Sequence, residues 1–257
     1  MIETGDNRIL LKVEGAVAII TLARPEKLNA LDQAMITALE RTAHHIDADS
    51  VIRVAIITGQ GEKAFCAGGD IAAWSAETPE KFGMQWVRLG HRAFDALTRL
   101  RVPLIAALNG SVMGGGLELA TCADFRIAEE HVKFSLPETG LGIIPGWSGT
   151  QRAVQRFGGQ VIRRMSLAGE VFDALQAEQL GLCDAIAPKG QSLTAAREMA
   201  AAISMRSAFA TAAAKMMINA AEGEDAPRAL EAMGGIAAAH SAELKAGLAA
   251  FAAKKKN

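Results

Sequence analysis

Short apolar runs alternate with longer amphipathic segments through the first two thirds of the chain. Between the runs, residues 31–46 and 86–100 carry apolar side chains three and four positions apart, which predicts helices, and Asp32 is a suitable N-cap for the first. Strands that alternate with helices predict an α/β fold. The predicted buried strands, each rich in β-branched residues, are 17–22, 51–58, 102–108 and 124–128.

The character of the sequence changes after about residue 189. Residues 193–252 are rich in Ala, Met, Leu, Lys and Glu and contain no strand-like run, so this part is predicted to be helical. We therefore predict two regions, an α/β body over residues 1–189 and a helical C-terminal region over residues 190–257.

Composition and charge exclude several classes of function. The 257 residues include 27 Lys and Arg against 28 Asp and Glu, and this balance argues against a nucleic acid partner. The longest uncharged run, 102–117, falls short of the ~20 apolar residues of a membrane helix, and no signal-peptide pattern opens the chain. Three widely spaced cysteines without a CxxC pair indicate reduced thiols and no zinc site. We expect a cytoplasmic protein without membrane contact.

Two glycine-rich segments each follow a predicted strand and precede a helix-like stretch. One is Gly114–Gly116, and the other lies within "AFCAGGDI" at 64–71. Because Gly costs a helix roughly 1 kcal/mol relative to Ala, three glycines at a helix start indicate a tight turn, close packing, or close approach of a ligand to the helix amides. The phosphate-loop pattern GxxxxGK[ST] is absent, so amides directed at a developing oxyanion explain the pattern better.

Two carboxylates lie beside these segments in sequence. Glu118 falls in the first helical turn after the glycines, and Glu138 precedes another loop rich in Gly and Pro. Each acid alone has an ordinary explanation, a helix-dipole contact for Glu118 and a surface loop for Glu138. Together, beside an oxyanion site, they predict a general acid/base pair whose pKa values are raised by apolar surroundings.

Several segments resemble the enoyl-CoA hydratase/isomerase family, the crotonases. The resemblance implies a spiral of ββα units with a helical C-terminal region used in trimerisation, and hence a homotrimer or a dimer of trimers. It implies an acyl-CoA thioester as substrate, with coenzyme A as part of the substrate and no separate cofactor or metal. The segments are "RPEKLNAL" (24–31), "AFCAGGDI" (64–71), "IAALNGSVMGGGLELATCADFRIA" (105–128), "FSLPETGLGIIPGWSGTQR" (134–152) and "SAELKAGLAAFAAKKK" (241–256).

The resemblance also implies a role for each catalytic position. The N–H groups of Ala67 and Gly115 would hold the thioester oxygen of a 2-enoyl-CoA. Glu118 would deprotonate a water aimed at C3, and Glu138 would share that water and supply a proton to C2. The implied reaction is hydration to a 3-hydroxyacyl-CoA. Because family isomerases manage with the Glu138-type carboxylate alone, Glu118 favours hydration. The alternatives are an isomerase or another enolate-forming enzyme and, in a different class, a non-catalytic binding protein.

The coenzyme A contacts are carried over by position. Lys254 belongs to a three-lysine end that reads as a solvated terminus by itself and as a phosphate-facing group under the resemblance. The implied CoA-binding and substrate-binding residues are Lys27, Leu28, Ala30, Ala64, Ala67, Gly68, Asp70, Ile71, Gly114, Gly115, Phe251 and Lys254.

The chain departs from the family pattern at Trp147–Ser148, where many family hydratases have small residues. Trp147 either narrows the acyl pocket, and so counts among the substrate-binding residues, or packs as a core aromatic. Trp74, Phe82 and Trp86 fall in the segment that borders the acyl chain in the family, and helix packing explains each of them as well.

Overall fold

The computed structural model describes residues 2–254, except for the side chains of residues 247 and 250–254. The strands are β1 (Ile9–Glu14), β2 (Val17–Leu22), β3 (Val54–Gly59), β4 (Ala64–Cys66), β5 (Leu104–Leu108), β6 (Ser111–Met113), β7 (Phe125–Glu129), β8 (Lys133–Ser135), β9 (Phe172–Asp173) and β10 (Ala185–Ala187).

The helices are α1 (Gln33–Ala48), α2 (Ile71–Trp74), α3 (Pro79–Lys81), α4 (Arg88–Thr98), α5 (Gly115–Thr121), α6 (Arg152–Phe157), α7 (Gly159–Ala168), α8 (Ala174–Gln179), α9 (Ser192–Ser204), α10 (Ala208–Ala221), α11 (Ala226–Ala239) and α12 (Ala242–Lys254). A π-helical turn over Phe82–Val87 joins α3 to α4, and short 3₁₀ turns cover Pro25–Lys27 and Glu138–Leu141.

Two sheets are built in step by the same stretches of chain. The larger has the order β1-β2-β3-β5-β7-β10, antiparallel between β1 and β2 and parallel elsewhere. The smaller has the order β4-β6-β8-β9, with β4, β6 and β8 parallel. Each pair β3–β4, β5–β6 and β7–β8 places one strand in each sheet before the chain turns into helix. This is the spiral of ββα units that the sequence predicted, and the α/β fold class is confirmed.

The predicted long elements are present with shifted ends. The helix predicted over 31–46 spans Gln33–Ala48, and Asp32 is its N-cap, since its carboxylate accepts from the Met35 N–H at 3.0 Å. Strand β1 and the short strands β4, β6, β8, β9 and β10 were not predicted. Three-residue strands carry too few positions for any hydrophobic period to show.

The C-terminal helices begin close to the predicted boundary and differ in how they pack. Helix α9 lies on the large sheet, where Ala196 and Ala200 join a buried cluster with residues of β2, β3 and β5. Helix α10 is tied to the body by Lys215, whose buried ammonium donates to the Val102 carbonyl at 2.9 Å and to Asp124 at 2.7 Å. Much of the apolar surface of α10 and α11 is exposed.

Candidate active site

Three loops that carry the predicted chemistry leave the same edge of the small sheet. The strands β4, β6 and β8 are adjacent and parallel, so their carboxyl ends lie side by side. Residues 67–69 follow β4, Gly114 and Gly115 follow β6, and Glu138 follows β8. The topology therefore brings together segments that are far apart in sequence.

The glycines let the first two loops touch. A Cβ added to Gly68 would lie 2.9 Å from the Gly115 nitrogen, and one added to Gly116 would collide with the Cys66 carbonyl. Gly114 has φ +53° and ψ −124°, a backbone conformation that glycine adopts readily and that residues with a side chain rarely adopt. Close packing of two loops, together with a special backbone conformation, thus accounts for the glycine run.

The prediction that Ala67 supplies a free N–H is wrong. The Ala67 N–H donates to the Leu28 carbonyl at 3.0 Å, so it is not available to a ligand. Gly69 lies opposite Leu31 in a parallel bridge in which the neighbouring groups Gly68 O and Asp70 N make the hydrogen bonds. Its own N–H has no acceptor among the described residues. The N–H of this loop that is free and borders the cavity is therefore that of Gly69.

The second donor, Gly115, is where the sequence predicted it. Gly115 is the first residue of α5, so its N–H cannot be satisfied within the helix and carries the partial positive charge of a helix N-terminus. Gly69 and Gly115 border the same cavity. Two backbone donors from different loops can thus act on one oxygen.

Glu118 is buried and held by the backbone of a neighbouring loop. The residue is 3% exposed, and Oε1 accepts from the backbone N–H of Trp147 at 2.7 Å and from that of Gly149 at 2.6 Å. Burial, together with the nearby Glu138 carboxylate, raises the pKa of Glu118 to about 7, against the backbone amides of Trp147, Gly149 and Gly146, which lower it. A carboxyl with this pKa exchanges protons readily near neutrality.

Glu138 borders the same cavity from the loop that follows β8. The residue is 8% exposed, and its Oε2 is buried with no hydrogen-bond partner in the described structure. Burial raises the pKa of this carboxyl. Gly114 makes room for it, since an added Cβ there would lie 2.7 Å from Glu138 Oε1. An unsatisfied buried carboxyl oxygen that faces a cavity is suited to exchange a proton with a bound molecule.

The raised pKa of Glu118 predicts how stability varies with pH. The folded state holds a proton on Glu118 up to about pH 7, whereas the unfolded chain releases it near the ordinary value of 4.5. Folding therefore binds a proton between these values, and the free energy of unfolding should fall as pH rises from about 4.5 to 7. Glu118→Gln should reduce this fall. Urea unfolding at pH 5 and pH 8 measures it, and an equal fall in both proteins would contradict the assignment.

The cavity is narrow, about 90 Å³, and strongly aromatic. All three tryptophans of the chain line it, with Trp74 packed on Phe82 at 5.1 Å and Trp86 on Trp147 at 5.3 Å between ring centroids. Phe82 and Trp86 lie in the π-helical turn, an element often found at functional sites. For Trp74, Phe82, Trp86 and Trp147 the sequence left core packing and contact with the acyl group both open. In the structure they pack in two pairs and also border the cavity. Aliphatic side chains at the rim are Ile71, Leu141, Ile143 and Ile144.

The predicted CoA-binding residues are distributed over two cavities. A second cavity of about 200 Å³ is lined by Leu28 and Ala64. Lys27, Ala30 and Asp70 line neither cavity, and Asp70 instead caps α2 and pairs with Arg24 at 2.8 Å. The side chains of Phe251 and Lys254 lie outside the described residues. The predicted residues in the first cavity are Ala67, Gly68, Ile71, Gly114, Gly115 and Trp147, with both glutamates.

Sequence reasoning missed Gly69 and the amides of Trp147 and Gly149. The adjacent glycines Gly68 and Gly69 were a signal for the first, but only the bridge to Leu31 decides which N–H is free. Within residues 2–254 no cluster of three His, Cys, Asp or Glu side chains is arranged to hold a metal ion. None of the helices in that range has the length and apolar character needed to cross a bilayer.

Comparison with known proteins gives a consistent result. Residues 12–257 match the model of the enoyl-CoA hydratase/isomerase family. The chain is 33% identical to the crotonyl-CoA hydratase of Syntrophomonas wolfei, over 96% of each chain. It is 35% identical to the short-chain-enoyl-CoA hydratase of Clostridium acetobutylicum, over 83% of this chain and 81% of that one. The structure of an enoyl-CoA hydratase from Bacillus anthracis superposes with a TM-score of 0.82 at 32% identity, covering 96% of this chain and 97% of that one.

Proposed function

The chain belongs to the enoyl-CoA hydratase/isomerase family, and on that basis we propose that it adds water across the C2=C3 bond of 2-enoyl-CoA thioesters. The product is a 3-hydroxyacyl-CoA. The single observation that carries this proposal is the pair of buried carboxyls, Glu118 and Glu138, on one cavity with two backbone donors.

The proposed reaction begins with the thioester oxygen between the N–H groups of Gly69 and Gly115. These donors are in place before the reaction and stabilise the negative charge that develops on the oxygen as C3 is attacked. Ionised Glu118 accepts a proton from the attacking water, whose oxygen bonds to C3. Protonated Glu138 gives its proton to C2. Glu118 is then protonated and Glu138 ionised, and a proton exchange between the pair restores the starting state.

The electrostatics of the pair support a site that holds one proton. The charge of Glu138 raises the pKa of Glu118, and burial raises both pKa values, so the pair favours holding one proton over holding none. Hydration needs one acid and one base in the same site. The Trp147 and Gly149 amides bind the ionised form of Glu118, and this contact supports the base role proposed for it.

Isomerisation of a 3-enoyl-CoA is the second candidate function. It needs one carboxyl to move a proton, and Glu138, whose Oε2 has no partner in the described structure, is suited to that task. The buried Glu118 is the observation that favours hydration over isomerisation, because isomerisation by Glu138 alone would leave Glu118 without a role in the reaction.

Crotonyl-CoA is the substrate that tests the proposal. Loss of the absorbance of the conjugated enoyl thioester, with 3-hydroxybutyryl-CoA as the product, is the expected result. Conversion of 3-butenoyl-CoA to crotonyl-CoA without further reaction would favour the isomerase. Tight binding of both esters without turnover of either would point to the non-catalytic class.

Replacement of single amides by esters tests which donor serves the oxyanion. An ester linkage at residue 69 removes the N–H proposed to bind the thioester oxygen, and kcat should fall by about 10²–10³. The same change at residue 67 removes a hydrogen bond to Leu28 and should lower the free energy of unfolding by about 1 kcal/mol with little change in kcat. The reverse pattern, measured by steady-state kinetics, would restore Ala67 as the donor.

We further propose that the C-terminal helices join copies of this chain into a trimer or a dimer of trimers. Exposed apolar side chains on the neighbouring helices α10 and α11, among them Phe209, Met217, Ile218 and Leu230, support the proposal, because a gathered apolar surface favours association. Sedimentation velocity at assay concentration should give three or six times the monomer mass. A species of 27.0 kDa would contradict it.

A further inference from the structure

The indole of Trp147 occupies a niche formed by glycines. A Cβ added to Gly90 of helix α4 would collide with the indole nitrogen. One added to Gly115 would lie 2.7 Å from Cζ3, and one added to Gly69 would lie 3.2 Å from Cη2. Three glycines from three separate elements thus surround one ring. The ring contacts both residues that present the oxyanion donors.

The indole is also held by two aromatic neighbours and by the backbone of Trp147. The Phe94 ring lies edge to face at 5.2 Å and the Trp86 ring at 5.3 Å between centroids, and the backbone N–H of Trp147 donates to Glu118 Oε1. The residue is 3% exposed. Its Nε1 is buried without an acceptor in the described structure, so packing and not hydrogen bonding determines its position. A ring held on this many sides cannot swing away easily to admit a ligand.

The direction of a bound acyl group follows from the shape of the cavity. Coenzyme A is too large for a cavity of about 90 Å³, so it must lie on the open side, where Leu141 and Ile144 are exposed. Since the thioester oxygen is placed between Gly69 and Gly115, the acyl carbons extend away from CoA, past the two glutamates. Trp86 and Trp147, both buried, line the cavity on the side away from these exposed residues.

We propose that Trp147 sets the acyl specificity of the site by blocking its inner end, so that acyl groups close to crotonyl in size are accepted and long chains are rejected. The inference rests on the proposed hydratase function and adds the substrate class. The indole fills space beside the oxyanion donors that a smaller side chain would leave to the substrate.

Chain-length dependence of kcat/KM in the wild type, Trp147→Phe and Trp147→Ala tests the proposal. The wild type should favour crotonyl-CoA over trans-2-decenoyl-CoA by at least about tenfold. Trp147→Ala should reduce this preference about tenfold or more, and Trp147→Phe less. Phe172→Leu is the matched control, because Phe172 is a buried aromatic residue of β9 that lines neither cavity. It should lower stability and leave the preference unchanged.

Equal use of both substrates by the wild type would overturn the proposal. So would loss of activity on both substrates by one common factor in the two Trp147 variants, since that is the effect of damaged packing alone. Calorimetric binding of butyryl-CoA and decanoyl-CoA, which cannot be hydrated, separates this inference from the proposed function. Without turnover, tighter binding of butyryl-CoA that is relieved in Trp147→Ala supports the specificity role while the hydratase proposal fails. Equal binding overturns the specificity role.

Discussion

Glu118→Gln is expected to lower kcat for crotonyl-CoA hydration by about 10²–10⁴, the usual contribution of a general base. The substitution is nearly isosteric, and a Gln side-chain oxygen can still accept from the Trp147 and Gly149 amides as Oε1 does. The loop should therefore keep its position, and KM should change little. What is lost is the ability to accept a proton from water.

Glu129→Gln provides the matched control for this change. Glu129 is another buried glutamate, and its Oε1 accepts from the Ser192 backbone and hydroxyl, away from the cavity. The kcat of the Glu129→Gln variant should stay close to that of the wild type. A Glu118→Gln variant with wild-type kcat would remove Glu118 from the mechanism and leave the isomerase-like reading with one carboxyl.

Glu138→Gln is expected to lower kcat by a similar factor, about 10²–10⁴, because the enolate would lack its proton donor at C2. It should also change how the residual activity depends on pH. In the wild type the active form of the pair holds one proton, so kcat/KM should fall at high pH as that proton is lost. Glu138→Gln removes this titration, so the alkaline limb of kcat/KM should disappear.

The pH profile distinguishes this account from simple damage to the site. A misfolded or displaced loop would reduce kcat and leave the alkaline limb in place. A Glu138→Gln enzyme of full activity, or one that keeps the alkaline limb, would show that Glu138 is not the proton donor. Rate measurements from pH 5 to pH 9 cover the required range.

Much of the site was predictable because its chemistry is local in sequence. The glycines at 114–116 and the acid one turn later lie on one helix start, and the helix geometry alone places them together. Glu138 could be singled out as an acid beside a Gly/Pro-rich loop. The segment order that resembles the family predicted the spiral fold, which the parallel strands β4, β6 and β8 realise.

The remaining features depend on contacts between distant segments. The choice between Ala67 and Gly69 is made by hydrogen bonds to Leu28 and Leu31, which come from a loop some forty residues earlier. The niche of Trp147 needs Gly90, a single glycine within a helix. Nothing in the sequence around Gly90 predicts that it contacts Trp147. Strands of two or three residues could not be predicted from the sequence either, because pairing with other strands and not local propensity forms them.

Hydration of crotonyl-CoA in water enriched in oxygen-18, with mass spectrometry of the product, tests the proposed mechanism most directly. We expect 3-hydroxybutyryl-CoA that carries one oxygen-18 atom on C3 in the wild type, and slower formation of this product in Glu118→Gln and Glu138→Gln. Unchanged crotonyl-CoA, or a shifted double bond with no oxygen-18 incorporated, would contradict the hydratase mechanism.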